Sequence, residues 1–166
     1  MKVERMIKRK NYILTFNCKN IQTCGMFFYE LFNSTDIFLI QEHWLFNFQL
    51  NLLNELHQNI CGIGKAVDDK DTINPTNVPR GYGGTGILWR KDLDNFLNPL
   101  DIGYDRICCV ELLGSSKLLL VSVYLPCKGT PSDSLEFFNC TDQLHEIVQS
   151  YSDSHSIIID YNWWRF

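Results

Sequence analysis

The chain has 166 residues, of which 45% are hydrophobic and 20% are charged, and its formal net charge is −4. This length favours one domain with a substantial core, and the composition excludes disordered and fibrous proteins. The acidic balance argues against a simple basic clamp for nucleic acid. It leaves a nuclease open, because an acidic cleft can bind a divalent cation that then meets phosphate.

The sequence shows no sign of export or membrane insertion. No apolar run approaches the ~20 residues that a membrane-spanning helix needs. Residues 1–10 are basic and have no apolar segment behind them, so we predict a solvated tail rather than a secretory signal. The seven cysteines form no C-x-x-C pair, which is typical of reduced thiols. We therefore expect an intracellular protein that is not secreted, with the nucleus as one candidate compartment.

Apolar periodicity in the first half predicts strands that alternate with helices. Strands are predicted at residues 12–16 and 37–41, and helices at residues 21–32 and 45–58. The helical repeat of the second helix contains seven apolar residues, which we assign to the core. Residues 61–82 contain several glycines and an acidic run that starts at Asp68, and are predicted to form a long solvated loop.

The second half is predicted to contain four strands, at residues 84–91, 105–112, 117–125 and 156–159. The middle two flank a Leu-Gly-Ser-Ser turn and predict a β-hairpin. A helix is predicted before the last strand, and its inner stripe consists of Leu135, Phe138, Leu144, Ile147, Val148 and Tyr151. Helices that alternate with strands, together with a hairpin, predict an α/β sandwich of sheets with outer helices.

Polar side chains follow four of the predicted strands, at the point where each strand ends. They are Asn17, Glu42, Tyr124 and the pair Asp160 and Asn162. A carboxylate at the end of a buried strand is costly unless a cation or hydrogen-bond donors meet it. Polar groups at several strand ends are what a layered α/β protein needs to form one cleft at a sheet edge.

Each of these residues also has an ordinary structural interpretation. Asn17 and Asn162 could cap turns, and Tyr124 could be a buried phenol with a hydrogen-bond partner. Glu42 and Asp160 could cap helices. The residue types alone leave both interpretations open at every position.

Two further patterns carry little functional information. Residues 81–86 satisfy G-x-G-x-x-G, but the dinucleotide fingerprint needs a strand before it and a helix after it. Here a strand is predicted after the motif, so we interpret it as a loop that enters a strand. The four histidines show no zinc spacing, and we assign no chemical role to His43 beside Glu42.

The ordered set of motifs resembles the endonuclease/exonuclease/phosphatase superfamily. The resemblance is carried by Asn17 at the end of strand one, Gln41-Glu-His-Trp-Leu45, Tyr82-Gly-Gly-Thr-Gly-Ile-Leu-Trp-Arg-Lys91, Asp105-Arg-Ile-Cys-Cys-Val-Glu-Leu112, Val123-Tyr-Leu-Pro126 and Asp160-Tyr-Asn162. The chain looks most like the apurinic-type endonuclease domain of non-LTR retrotransposons. The similarity covers nearly the whole chain after residue 10.

The resemblance implies hydrolysis of a DNA phosphodiester by water with the help of a divalent metal. Glu42 would be the main ligand of Mg²⁺ or Mn²⁺, with Asn17 beside it. Tyr124 would donate a hydrogen bond to the scissile phosphate. Asp160 would orient or deprotonate the attacking water, and Asn162 would help to hold the phosphate or that catalytic group.

The sequence also departs from the family. Ile159 stands where the family has glycine, which puts the local backbone path in doubt. The later strands of the family, a second aspartate and a terminal Ser-Asp-His motif have no counterpart. We therefore expect residues 11–162 to form the N-terminal portion of such a domain, an incomplete sandwich without its C-terminal strands, and residues 163–166 to form an atypical tail.

This incomplete motif set predicts weak or no nuclease activity for the isolated chain. The same motif set fits either an enzyme or a protein without catalytic activity. The alternatives are a vestigial or nucleic-acid-binding module without catalysis and a phosphatase of the same superfamily.

Overall fold

The computed structural model describes residues 12–68, 81–102, 104–126 and 131–162, without the side chains of Ser132 and Asp133. The predicted tails at 1–10 and 163–166, and the acidic run after Asp68, lie outside these residues. The described elements are β1 (Ile13–Asn17), α1 (Ile21–Leu31), β2 (Ile37–Gln41), β3 (Ile60–Lys65), β4 (Thr85–Arg90), β5 (Leu97–Leu100), β6 (Ile107–Leu112), β7 (Leu118–Tyr124), α2 (Pro131–Tyr151) and β8 (Ser156–Asn162). Short 3₁₀ helices cover Asn47–Asn54 and Lys91–Phe96.

The strands form two sheets of four. The first sheet has the order β1-β2-β4-β3 and the second has the order β5-β6-β7-β8. Each sheet contains one parallel pair, β1 with β2 and β7 with β8, and its other neighbours are antiparallel. Parallel partners need a crossover connection, which α1 and α2 supply. Two βαβ units therefore lie on different sheets.

The sheets and helices stack in four layers. Phe28 of α1 packs on Phe38 at the outer face of the first sheet, with ring centroids 5.3 Å apart. Between the sheets, Leu39 belongs to the same buried cluster as Leu120. Ile147 of α2 packs on the outer face of the second sheet. Because β2 is covered on both faces, all five of its residues are buried, as its unbroken apolar run predicts.

Most predicted elements are confirmed. The α/β sandwich with outer helices is present, β2 has the predicted bounds, and β6 and β7 form the predicted hairpin with Leu112 opposite Leu118. Six cysteines within the described residues are free thiols, as expected. The structure differs from the predictions at β3, at the first 3₁₀ helix, at β5 and on the inner side of α2.

The prediction of a loop over residues 61–82 is wrong for its first part, which belongs to β3. Gly62 and Gly64 suggested a turn, but they serve close packing. A Cβ at Gly62 would lie 2.5 Å from the Ile87 carbonyl oxygen, and one at Gly64 would lie 2.5 Å from Leu53 Cδ1. Glycine in a strand often marks such a close approach.

Asp68 is also not solvated, since only 1% of it is exposed. Its Oδ1 accepts a hydrogen bond of 2.9 Å from the backbone N–H of Asn47, at the start of the first 3₁₀ helix. A buried carboxylate needs such donors. Asp68 therefore connects the end of the β3 region to this helix.

The predicted helix at residues 45–58 is shorter than expected and has 3₁₀ geometry. Leu53 is fully buried in the core beside α1, and Leu50, Leu52 and Leu56 pack against the same core. Phe48, which was assigned to the core, is 64% exposed. The spacings of three and four residues among Leu45, Phe48, Leu52 and Leu56 predicted an α-helix, but such spacings do not exclude 3₁₀ turns.

Two features of the second sheet were missed. β5 contains Pro99, which is tolerated because β5 is an edge strand. On α2, Leu135 and Phe138 are exposed rather than inner residues. The predicted inner residues Leu144, Ile147 and Tyr151 do pack on the sheet, together with Phe137 and Cys140. Within the described residues, neither α-helix combines the length and apolar character that crossing a membrane requires.

Candidate active site

The carboxyl ends of the two parallel strand pairs meet at one edge of the sandwich. Gln41 at the end of β2 donates a hydrogen bond of 3.2 Å to Ser122 of β7 and a second one to Asp160 of β8. Asn162 at the end of β8 donates a hydrogen bond to Glu42, which follows β2. Hydrogen bonds between side chains therefore join the first sheet to the second at this edge.

Glu42 leaves the extended geometry of β2 with a φ of 55°, and Trp44 has a φ of 57°. Residues other than glycine rarely adopt this left-handed conformation, which persists only where the surroundings enforce it. Here the Glu42 N–H donates to the Gly84 carbonyl at 2.8 Å, and the Trp44 N–H donates to the Gly83 carbonyl at 3.0 Å. The turn after β2 is thus held by the segment before β4.

The Glu42 carboxylate accepts hydrogen bonds from two asparagines on different sheets. Its Oε1 lies 2.9 Å from Asn17 Nδ2 and 3.2 Å from Asn162 Nδ2. The Asn17 Oδ1 accepts the Lys19 N–H at 3.2 Å, which orients the Asn17 amide so that its N–H group faces the carboxylate. Three of the five predicted site residues are therefore in direct contact, around a carboxylate that is 6% exposed.

Asp160 joins this group through Gln41, the neighbour of Glu42. The Gln41 amide donates to Asp160 Oδ2. Burial raises the pKa of Asp160, and the hydrogen bond from Gln41 partly opposes that shift. A carboxylate with a raised pKa is a stronger base, so the environment of Asp160 suits proton transfer.

The buried hydroxyls of Thr85 and Ser122 lie beside Gln41, and the Ser122 hydroxyl accepts a hydrogen bond from its amide. The Thr85 and Ser122 hydroxyl oxygens are 2.7 Å apart, and each lies 3.2 Å from the Ile40 carbonyl oxygen, to which it can donate. Sequence reasoning gave no role to Gln41, Thr85 or Ser122. The available signal was the position of Ser122, which lies two residues before Tyr124 and so shares its side of β7.

Tyr124 stands opposite Asn162 in the register of β7 and β8. The Arg106 guanidinium lies over its ring, with Cζ 5.5 Å from the ring centroid. Gly83 approaches the ring from the turn beside Glu42, since a Cβ there would lie 2.6 Å from Tyr124 Cε1. All five predicted residues are thus placed along one edge, with Tyr124 on the Asn162 side.

The glycine-rich motif has a structural explanation. Gly83 and Gly84 have φ values of 57° and 83°, and a Cβ at Gly84 would lie 2.3 Å from Cε1 of His43. These glycines let the backbone approach the site residues closely. β4 begins directly after them, so the interpretation as a loop that enters a strand is confirmed.

His43 is fully buried and has a structural role. Its Nδ1 accepts the Leu45 N–H at 3.0 Å, and its Nε2 lies 3.1 Å from the Lys65 carbonyl oxygen, to which it donates. Burial lowers the pKa of His43 to about 4, so the ring is neutral at pH 7. His43 holds the turn that presents Glu42.

Solved structures with this arrangement of strands are nucleases and related enzymes. The 3′ phosphatase NExo from Neisseria, bound to a product DNA hairpin, has a TM-score of 0.59 at 15% identity and is matched over 90% of this chain and 56% of its own. The catalytic domain of Xenopus laevis APE2 has a TM-score of 0.62 at 14% identity, over 90% and 57%. An AP endonuclease from Archaeoglobus fulgidus has a TM-score of 0.58 at 16% identity, over 85% and 52%.

The chain shares the fold of these nucleases. At these identities the likeness concerns the fold alone, and the chain spans little more than half the length of each of these structures. No protein-family model and no curated protein matches the sequence.

The carboxylate at the site fits a divalent metal ion. Glu42 offers a carboxylate, which Mg²⁺ and Mn²⁺ prefer, and the amide N–H groups of Asn17 and Asn162 orient that carboxylate. The described residues contain no group of three or more His, Cys, Asp or Glu side chains placed for a metal. Mg²⁺ does not need one, because it commonly binds through one or two carboxylates and keeps several waters.

Ile159 does not distort the strand that carries Asp160. β8 is continuous from Ser156 to Asn162, and Ile159 pairs with Val121 in register. Its side chain packs in the cluster beneath α2. The doubt about the local backbone is thereby removed, because regular strand geometry delivers Asp160 and Asn162 to the same side.

Proposed function

We propose that this chain is a divalent-metal-dependent phosphodiester hydrolase domain that acts on DNA. The proposal rests on one observation above all. A single buried carboxylate, Glu42, is held by asparagines from both sheets, and Asp160 is linked to it through the adjacent Gln41. A helix cap or a turn cap would not need side chains from three strands in one place.

The residues have distinct roles in this proposal. Glu42 would hold Mg²⁺ or Mn²⁺, with Asn17 beside it to orient the carboxylate, and the bound ion would supply Lewis-acid stabilisation of charge on phosphoryl oxygens. The Tyr124 hydroxyl donates a hydrogen bond to a phosphate oxygen. Asn162 donates to Glu42 and helps to hold the phosphate. Asp160 orients the attacking water and accepts its proton, for which its raised pKa is favourable.

The choice of DNA is supported by the solved structures of the same fold. The Neisseria enzyme is bound to a DNA hairpin, and another of these proteins is an AP endonuclease. Within the superfamily, the Glu-His-Trp-Leu and Asp-Arg-Ile motifs favour a relationship to the endonucleases of non-LTR retrotransposons. A 3′-phosphatase activity on DNA is the second candidate, because the Neisseria enzyme is a 3′ phosphatase.

We further propose that these 166 residues by themselves cleave DNA slowly. The terminal Ser-Asp-His motif of the family has no counterpart in them, and its histidine is the group expected to complete the acid–base chemistry. Metal binding at Glu42 does not depend on that group. Metal affinity and turnover are therefore expected to separate in this chain.

The decisive experiment measures Mn²⁺ binding and nicking of supercoiled plasmid by the same preparations. We expect Glu42→Gln to weaken Mn²⁺ binding at least about tenfold and to abolish slow nicking. Glu30→Gln, which removes an exposed carboxylate on α1, is the matched control and leaves both unchanged. An oligonucleotide with a 3′-phosphate tests the phosphatase alternative in parallel.

Two results would count against these proposals. Equal Mn²⁺ binding by the wild type and Glu42→Gln would remove the metal site. Rapid cleavage by the wild type that both EDTA and Glu42→Ala abolish would support the nuclease but contradict the expected low activity.

A further inference from the structure

Arg106, directly before β6, lies between Tyr124 of the candidate site and Glu136 of α2. Its Nε and Nη2 atoms each lie 2.6 Å from Glu136 Oε1 in α2, and its side chain is only 18% exposed. Its guanidinium also lies over the Tyr124 ring, and its carbonyl accepts the Tyr124 N–H at 3.0 Å. A partly buried cation is thus fixed between a carboxylate and an aromatic ring.

The backbone of Gly83 also limits where the Tyr124 ring can lie. A Cβ at Gly83 would lie 2.6 Å from Cε1 and 3.1 Å from Cδ1 of Tyr124, so only a glycine backbone fits there. The Gly83 carbonyl is held in turn by the Trp44 N–H, in the turn that presents Glu42. The position of the Tyr124 ring is therefore coupled to that of Glu42 through rigid backbone.

We propose that Arg106 is a positioning residue that, together with Gly83, fixes the orientation of the Tyr124 phenol at the candidate site. The importance of this orientation rests on the proposed function, in which the phenol donates to phosphate. A planar guanidinium stacks on an aromatic ring and binds a carboxylate at the same time, which a lysine ammonium does not reproduce. Glu136 orients the guanidinium and keeps it on the ring.

The competing interpretation is that Arg106 only stabilises the fold through its ion pair with Glu136. Arg90 provides a matched control for this. Its Cζ lies 5.3 Å from the Phe32 ring centroid, and its Nε lies 3.1 Å from Asp92 Oδ1. Arg90 therefore makes the same two kinds of contact at a position away from the candidate site.

The test is NMR of protein labelled at the tyrosine rings, without metal or DNA. The chain has seven tyrosines, and Tyr124→Phe assigns the Tyr124 signal. We expect Arg106→Gln and Arg106→Lys to shift the Tyr124 signal and to speed its ring flips. Arg90→Gln is expected to leave the Tyr124 signal in place.

Glu136→Gln gives a second measurement in case the Arg106 variants fold poorly. Glu136 is half-exposed, so its replacement is tolerated, and we expect a smaller shift of the Tyr124 signal in the same direction. The positioning role of Arg106 is overturned if Tyr124 moves no further in Arg106→Gln and Glu136→Gln than in Arg90→Gln. Because no metal or DNA is present, this result stands whether or not the chain proves to be a nuclease.

Discussion

At Glu42 the backbone leaves β2 in a left-handed conformation and turns one carboxylate toward two asparagines. Strain of this kind costs about 1–3 kcal/mol and persists where neighbouring groups over-determine the geometry. The neighbours here are the glycine turn before β4 and the buried His43. The site residue is therefore positioned by groups that carry no chemistry of their own.

Gly84→Ala tests this support. Gly84 has a φ of 83°, and a new Cβ would lie 2.3 Å from the His43 ring. We expect a loss of about 2–5 kcal/mol in the free energy of unfolding, from backbone strain together with overpacking. Urea titration measures it. Gly114→Ala, where the nearest atom is 3.4 Å away, is the control, and an equal loss in both variants would contradict the explanation.

At the scale of elements, α1 is fixed to the first sheet by a few aromatic side chains. Phe28 is fully buried and lies 5.9 Å from Phe16 and 5.3 Å from Phe38, measured between ring centroids. Met26, on the same helix, is 82% exposed. The helix connects β1 to β2, so its packing sets the relative position of Asn17 and Glu42.

Phe28→Ala should therefore destabilise the protein by about 3–5 kcal/mol, through lost burial and a residual cavity. Thermal or urea unfolding measures this. Met26→Ala should change the free energy of unfolding by no more than about 0.5 kcal/mol. Comparable losses in both variants would mean that α1 does not pack on the sheet as described.

β8 is tied to its sheet at the end opposite the site. His155, just before β8, places Nε2 at 2.7 Å from Glu111 Oε1 on β6, and Lys117 Nζ lies 3.1 Å from the same oxygen. The hydrogen bond from His155, followed by that from Lys117, lowers the pKa of Glu111 from 4.5 to about 2. This contact stabilises the start of the strand that carries Asp160.

Glu111→Gln should destabilise the protein at pH 7, and the difference from wild type should shrink as the pH falls. A carboxylate whose pKa is lowered on folding contributes stability that is complete above its unfolded pKa of 4.5 and is lost as the pH falls toward about 2. Urea titrations at pH 7, 4.5 and 3 measure the change. A difference that is independent of pH would show that Glu111 acts through packing alone.

At the scale of the whole molecule, the candidate site lies where two parallel strand pairs on different sheets end together. Each pair is joined by one helix on the outer face of its sheet. Neither sheet alone contains both Glu42 and Asp160. Folding of the sandwich and assembly of the site are therefore one event.

Metal binding should consequently stabilise the whole fold. A ligand that binds only the folded state at 100 times its Kd raises the free energy of unfolding by about 2.7 kcal/mol. We expect Mg²⁺ or Mn²⁺ to raise the Tm of the wild type and EDTA to reverse the change. If Glu42→Gln showed the same rise, the cation would bind elsewhere.

Local patterns in the sequence predicted much of this molecule. The apolar run of β2, the β6–β7 hairpin and the alternation of helices with strands each follow from nearest neighbours along the chain. The polar residues at the ends of four strands could also be predicted, because the sequence shows where an apolar run stops at a polar side chain. β3 was predicted as a loop because of Gly62 and Gly64. Glycine is needed at these positions because Ile87 on β4 and Leu53 lie too close for a Cβ, and these contacts are not visible in the local sequence.

The sequence by itself determined which residues could do chemistry, because side-chain type and strand ends are local properties. Only the tertiary structure decided that Asn17 and Asn162 meet on one carboxylate, that Gln41 links Asp160 to it, and that Arg106 covers Tyr124. The Asn162 and Gln41 contacts span 120 and 119 residues of sequence. Contacts at such separations depend on how the two sheets stack, and no local pattern encodes that distance.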